Sequence, residues 1–310
     1  MLFGLVTLIF FLSRLLPGDP ASLFLGPNIP ASVATELRHQ FGLDRPIAEQ
    51  YMLWLGGVAR GDLGYSFIHN QPVIDVLTRV FPNTLLLGLT AFFLEMAFAF
   101  ALVTLAIVYR HRWIDKAIST LTFVTYSLPS FWVGILLLWL FSYKLNFFPP
   151  SQMQSVGVEQ KGMIEGMADM IRHLVLPALT IAIPGAAGLA RILRTSVGET
   201  LSQEYILAAT SIGLSRGRLI SGYVMRNSLS SVVSLLGVEL GVLLTGVLVT
   251  ETLYAWPGMG RLAVMAVFAR DYPLLLGCCI LTGCVVIIGS LAADLLHAII
   301  DPRVIGASEQ

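Results

Sequence analysis

The stretch that decides the fold is EYILAATSIG, which runs from Glu204 to Gly213. Most of its residues are good helix formers, and the glycine at its end is the residue that most often terminates a helix. It lies in a polar segment, 194–228, between two long apolar runs. A helix with Ala208 and Ala209 on its surface has a nearly flat face, which suits close docking into a groove of another protein. The ordinary alternative is a polar connecting loop that contains a helix.

The composition indicates that the apolar runs lie in a membrane. Of the 310 residues, 56% are hydrophobic and 12% are charged. Soluble domains carry about 25% charged residues. Half that share, with several apolar runs of about 20 residues, is typical of an integral membrane protein. The formal net charge is zero, so the chain has no bulk attraction for nucleic acid.

The apolar runs predict an all-α membrane protein with six transmembrane helices. These are expected at 1–16, 83–109, 117–143, 174–193, 229–252 and 273–300.

The polar segments divide the chain further. Residues 17–82 are punctuated by prolines and are expected to form an extracytoplasmic subdomain after the first helix. Residues 83–300 would form a core of five helices that includes the segment 194–228, and residues 301–310 a tail.

The orientation follows from the basic residues. The segments 110–116, 194–228 and 301–310 hold nearly half of the 19 lysine and arginine residues in a small part of the chain. Because short cytoplasmic loops are enriched in lysine and arginine, we expect these three segments, and therefore both termini, to be cytoplasmic.

Three glutamates lie in or near the predicted spans: Glu95, Glu239 and Glu251. A charge at mid-bilayer costs about 3 kcal/mol on insertion scales, so such side chains usually face the protein interior or water. Each is therefore a candidate for lining a translocation path. The alternative is a structural hydrogen bond between helices. Pro129, and the fourth span's interruptions Pro177, Pro184 and Gly185, are either tolerated kinks or hinges.

The sequence gives no sign of a disulfide framework, a metal site or a common catalytic motif. Cys278, Cys279 and Cys284 fall in one apolar run, and the five histidines are scattered, so neither a disulfide framework nor a metal site is predicted. The sequence contains no P-loop, H-E-x-x-H or G-x-S-x-G motif.

Further motifs agree with the opening stretch. They are LLPGDPA at 15–21, FGLDRP at 41–46, GDLGYS at 61–66, TETLYAWPGMGRL at 250–262, RDYP at 270–273 and DPRV at 301–304. Together they resemble the B-type permease of the dipeptide, oligopeptide and nickel branch of ABC importers, and EYILAATSIG resembles the "EAA" loop of that family.

The resemblance implies a type I ABC importer permease in the bacterial inner membrane. Its partners would be a second, C-type permease, two ATPase subunits that carry ATP and Mg²⁺, an extracytoplasmic solute-binding protein, and membrane lipid. No cofactor is expected on this chain, and the chain is not expected to be an enzyme. The residues implied to dock the ATPase are Glu204, Tyr205, Ala208, Ala209, Gly213, Leu214, Arg226 and Asn227.

A rival interpretation is an ion-coupled secondary transporter, in which Glu95 or Glu239 would bind protons or cations. Such transporters commonly contain inverted repeats, and no such repeat is visible in the hydropathy of this chain.

Overall fold

The computed structural model describes residues 2–15, 44–110, 112–157, 162–224 and 247–300. These residues are largely helical, as predicted. The helices are α1 Leu2–Leu15, α2 Ile47–Ala59, α3 Val73–Val108, α4 Trp113–Ser127, α5 Ser130–Leu137, α6 Met163–Leu201, α7 Glu204–Ser211, α8 Met259–Phe268 and α9 Tyr272–Ile300. Two strands, β1 Tyr65–Ser66 and β2 Gln71–Pro72, pair antiparallel. A π-helical segment, Leu138–Lys144, continues α5; a helical turn, Arg216–Arg218, precedes another, Leu219–Val224.

Within the described residues, three helices are long and apolar enough to cross a membrane: α3, α6 and α9 as far as Leu295. A fourth span is possible as a broken pair, because α4 and the helix Ser130–Lys144 are bent by 105° at the break between them. The break falls at Leu128 and Pro129, where the residue before the proline is extended, with ψ 134°. Most of the predicted fifth span, 229–252, lies outside the described residues. The described residues 247–253 are helical. The count of six spans therefore stays a prediction.

Two predicted boundaries need correction. Helix α3 begins at Val73, well before the expected Asn83, and contains Pro82. Its first turns bury Val73, Val76 and Leu77 and expose Asp75, so they are amphipathic and lack the hydrophobicity of a span.

Helix α6 was expected to cover 174–193 with interruptions at Pro177 and Pro184, but it runs unbroken from Met163 to Leu201. Proline removes one helical hydrogen bond. Here the buried residues around both prolines, among them Leu176, Ala178 and Ile181, hold the helix together through packing.

The chain divides into two compact units. The first comprises Met1–Thr84 and Pro257–Val285. Its core joins the start of α3 to α8 and α9 through Val73, Leu77, Met259, Leu262 and Leu274. Aromatic side chains add to it, since the ring of Phe10 lies 5.3 Å from that of Tyr51 and 5.1 Å from that of Trp54.

A buried carboxylate fixes the β-hairpin of the first unit. Asp271 has no exposed surface. Its Oδ2 accepts hydrogen bonds from the Ser66 hydroxyl at 2.7 Å and from the backbone N–H groups of Phe67 and Ile68 at 2.8 and 3.0 Å. Its Oδ1 accepts the N–H of Leu274 at 3.2 Å, in the first turn of α9. One side chain therefore joins the hairpin turn to the start of a helix.

The second unit comprises Leu85–Trp256 and Val286–Gln310. One of its apolar clusters contains Leu87, Ala91, Leu174, Ala178 and Trp256. Another, which we call the anchor cluster, joins α3, α6 and α7 and is described with the site below.

Candidate functional site

Helix α7 has the ends that its sequence predicts. It begins at Glu204, after the extended residue Gln203, and ends at Ser211. Gly213 has φ +82°, a conformation that side chains rarely adopt. The N–H of Gly213 donates to the carbonyl of Thr210 at 3.0 Å, and that of Leu214 to Ala209 at 3.2 Å. This pair of bonds is the Schellman motif, so the glycine sets a sharp exit from the helix.

One face of α7 is held by the transmembrane helices. Ile206 and Ala209 are buried in the anchor cluster, which also contains Ala99, Val103 and Ile107 of α3 and Leu193 and Val197 of α6. This apolar contact fixes the short helix to two long ones. A displacement of α7 should therefore be transmitted to α3 and α6.

Several side chains on the other face of α7 are exposed. Glu204, Tyr205 and Ala208 are exposed, and so is Gly213 beyond the helix end. The expected flat face of two neighbouring alanines is wrong in one respect: Ala208 is exposed, whereas Ala209 is only 8% exposed and belongs to the anchor cluster. Successive residues are separated by about 100° around a helix, so the two alanines serve different faces. Arg226 and Asn227 lie outside the described residues.

An ion pair that sequence reasoning missed braces the end of α6. Nη2 of Arg194 lies 2.8 Å from Oδ1 of Asp115 in α4, and Nη1 of Arg194 donates to the hydroxyl of Ser119. The carboxylate of Asp115 is largely buried. An acidic residue in the first turn of a helix was a visible signal, but its partner is distant in sequence. The pair ties α4 to the turns of α6 that precede α7.

The candidate residues of the translocation path are covered by protein where the structure describes them. Glu95 is 1% exposed and Glu251 is fully buried. The carboxyl group of Glu95 packs against Gly185 of α6, since a Cβ on that glycine would lie 2.5 Å from Glu95 Cδ. Glu239 lies outside the described residues. The role of these glutamates in a path stays a prediction.

The contact between Glu95 and Gly185 predicts a strong asymmetry between two glycines of α6. We expect Gly185→Ala to lower thermal stability, because overpacking a filled site costs about 1–3 kcal/mol. Gly198→Ala is the matched control, because within the described residues no atom outside its own helix backbone lies within 4 Å of its Cβ position. Alanine there should stabilise the helix by about 0.5–1 kcal/mol. Melting midpoints in detergent, read by fluorescence size-exclusion chromatography, compare the two; equal midpoints would contradict this packing.

Tyr254 is a second buried polar residue, which was visible in the sequence only as part of the motif TETLYAWPGMGRL. The hydroxyl of Tyr254 lies 2.8 Å from the hydroxyl of Thr180 and donates to the carbonyl of Gly134 at 3.2 Å. Gly134 is required at this contact, because a Cβ there would lie 2.9 Å from Thr180 Cγ2. Tyr254 therefore joins α5 to α6.

Two solved structures share the fold of this chain. It resembles a chain in the inward-facing structures of the MetNI methionine ABC transporter with a TM-score of 0.60, 12% identity, and coverage of 73% of this chain and 96% of that one. It also resembles a chain of an amino acid ABC transporter crystallised with histidines, with a TM-score of 0.51, 16% identity, and coverage of 74% and 94%. At such identities the likeness shows the fold alone. That fold is one found in ABC transporters.

The sequence comparisons show the family. Residues 97–306 match the model described as "Binding-protein-dependent transport system inner membrane component", and residues 1–88 match the corresponding N-terminal model. The chain is 32% identical to the oligopeptide transport system permease protein AppB of Bacillus subtilis, covering 98% of this chain and 95% of that protein. It is 35% identical to the glutathione transport system permease protein GsiC of Escherichia coli K12, covering 98% and 94%. The chain belongs to the family of inner membrane components of binding-protein-dependent transport systems.

Proposed function

We propose that the chain is the B-type membrane subunit of an ATP-driven importer of peptides or of a related small solute such as a nickel chelate. The names of the relatives from B. subtilis and E. coli support a substrate of peptide type. Together with a C-type permease it forms the translocation path across the bacterial inner membrane. An extracytoplasmic solute-binding protein delivers the substrate to that path.

ATP hydrolysis takes place on two partner ATPase subunits, which bind ATP and Mg²⁺. Helix α7 sits in a groove of one of them, where Glu204 offers a negative charge to a basic side chain. When ATP closes the ATPase dimer, α7 moves with its groove. The anchor cluster passes this movement to α3 and α6, and the permease changes from inward-facing to outward-facing.

The observation that carries the proposal is the division of α7 into two faces. Ile206 and Ala209 are buried against α3 and α6, whereas Glu204, Tyr205 and Ala208 are exposed. A helix that served only as a connection would have no need of a rigid apolar anchor behind an exposed face. Such a helix can transmit movement, because one face is fixed to α3 and α6 and the other is accessible to the ATPase.

The proposed orientation places α7 and both termini in the cytoplasm. Arg110 and Arg112 lie between α3 and α4, and Arg216 and Arg218 follow α7. The positive-inside rule assigns both of these connections to the cytoplasm, which is where the ATPase and its ATP are found.

Affinity purification in mild detergent from the native host tests the proposal. We expect the wild-type chain to bring a second permease and P-loop ATPases, identified by mass spectrometry. Glu204→Arg should reduce the ATPase recovered per permease by about tenfold, since a lost charge-assisted contact is worth about 1.4 kcal/mol or more. Glu165→Arg is the matched control, an equal charge reversal at an exposed position in the first turn of α6.

Two results would contradict the proposal. A chain that purifies without any ATPase would favour the ion-coupled transporter, as would uptake that resists vanadate. Equal losses of ATPase in Glu204→Arg and Glu165→Arg would show that α7 has no special part in docking.

A further inference from the structure

A cavity of about 850 Å³ lies between α3, α4 and α6 in the second unit. Its wall is mainly apolar, with contributions such as Val103 of α3 and Phe123 of α4. Polar groups are few and come from α4 and α6, among them Ser119, Tyr126, Arg191 and Arg194. Small-molecule sites have this character: a volume of about 300–1,000 Å³, an apolar lining and a few placed polar groups.

The two arginines of this wall differ in what they contact. Arg194 is engaged by Asp115 and Ser119. Arg191, one turn earlier on α6, has its Cζ 4.9 Å from the centre of the Tyr126 ring. Within the described part of the chain, its guanidinium makes no ion pair or side-chain hydrogen bond. A cation–π contact uses none of the five N–H donors of arginine, so the contacts within the described residues leave these donors able to bind a ligand.

The ring that supports Arg191 is held in place by a glycine. A Cβ on Gly188 would lie 2.9 Å from Cε2 of Tyr126, so the ring lies directly against α6. Residues 188 and 191 are neighbours on one helix face. The structure therefore places the ring of Tyr126 beneath the guanidinium of Arg191, and both residues line the cavity.

Arg191 also lies within the predicted fourth span, 174–193. It lies near the proposed cytoplasmic end of that span and is exposed in this chain, so its guanidinium can reach an anionic group at the mouth of the cavity. Its cationic, planar fork matches a carboxylate in shape and charge.

We propose that this cavity binds the terminal carboxylate of a peptide in transit, and that Arg191 is the residue that recognises it. The inference rests on the proposed function and adds a substrate-contacting residue to it. A lipid headgroup is the other source of a small anion, but the cavity extends along α6 to Pro184, about 10 Å beyond Arg191. An extended tripeptide spans about 10 Å and would fill that length, and adding an anionic lipid in the experiment below separates the two sources.

Protection of Arg191 from phenylglyoxal, an arginine-specific reagent, tests the site in the complete importer. The importer is placed in phosphatidylcholine nanodiscs, and modification is followed by peptide mass spectrometry. We expect trialanine to slow modification of Arg191 by about tenfold, the effect of a charge-assisted pair worth about 1.4 kcal/mol, and trialanine amide to have little effect. Exposed Arg112, outside the cavity lining, is the internal reference.

Several outcomes would overturn the proposal. They are equal protection by trialanine and its amide, no protection by either, and an Arg191 that does not react even without peptide. Protection without peptide when phosphatidylglycerol is added would assign the site to lipid headgroups. These results would leave the proposed function untouched. That function is tested separately, by co-purification of the ATPase, which depends on α7 and not on this cavity.

Discussion

Replacing Gly213 by proline is expected to abolish ATP-driven uptake while leaving the chain inserted in the membrane. The glycine has φ +82°, and its N–H donates to the carbonyl of Thr210. Proline fixes φ near −65° and has no N–H, so the substitution destroys the exit from α7. The direction of the chain after Leu214 then changes, and the exposed face of α7 no longer meets its groove. Vanadate-sensitive uptake in membrane vesicles, normalised to the inserted chain, measures the effect.

A second glycine supplies the control for this prediction. Gly157 has φ +81° and, like Gly213, no atom of the described residues beyond its chain neighbours within 4 Å of its Cβ position. Gly157→Pro therefore introduces the same backbone conflict in a loop outside α7. The backbone conflict costs about 3 kcal/mol at either position, but only at Gly213 does it fall at the exit of α7. We therefore expect near-normal uptake in Gly157→Pro and a loss of about a hundredfold or more in Gly213→Pro. Normal uptake in Gly213→Pro would exclude a lever that depends on this exit.

Helix α7 could be predicted from the sequence because its signals are local. A run of helix formers followed by glycine determines both ends, and the structure confirms them within a residue. The long apolar runs likewise predicted α3, α6 and α9, which the structure confirms as candidate spans. Composition and periodicity carry this information without knowledge of tertiary contacts.

The two faces of α7 could not be predicted, because they depend on neighbours distant in the chain. Ala208 and Ala209 are identical in chemistry, and the packing of Ala209 against α3 and α6 decides which is buried. The same holds for the start of α3. Pro82 resembles a helix boundary in sequence, but the buried contacts of Val73 and Leu77 with α8 and α9 extend the helix beyond it.

Asp271 shows the same limit most clearly. Its four donors come from residues 66–68 and from Leu274, so its role depends on a hairpin that lies about 200 positions earlier. In the sequence it was only one residue of the motif RDYP. A motif residue of this kind is open to a functional interpretation, yet its contacts are those of a structural clamp.

We therefore expect Asp271→Ala to unfold the β-hairpin locally. The substitution leaves the N–H groups of Phe67 and Ile68 and the hydroxyl of Ser66 without their acceptor. The Ser66 hydroxyl is buried and the two N–H groups are part-buried. A buried donor that loses its acceptor costs about 1–3 kcal/mol and a part-buried one less, so the total loss is on the order of 3 kcal/mol. Amide hydrogen exchange at Phe67 and Ile68 should accelerate by about a hundredfold, because local opening controls exchange there.

Asp62→Ala separates the clamp from a general effect of removing an aspartate in this region. Oδ1 of Asp62 accepts one hydrogen bond, from the N–H of Gly64 at 2.9 Å, and the side chain is exposed. Water can replace that bond, so we expect exchange at Phe67 and Ile68 to stay within about threefold of wild type. Asp271→Asn keeps the size of the side chain and one oxygen acceptor, but its NH₂ group would face an N–H donor. We expect amide exchange in this variant to be faster than in Asp62→Ala and slower than in Asp271→Ala. If Asp271→Ala and Asp62→Ala exchanged alike, the hairpin would be held by the apolar packing of the first unit, and the buried carboxylate would be dispensable to it.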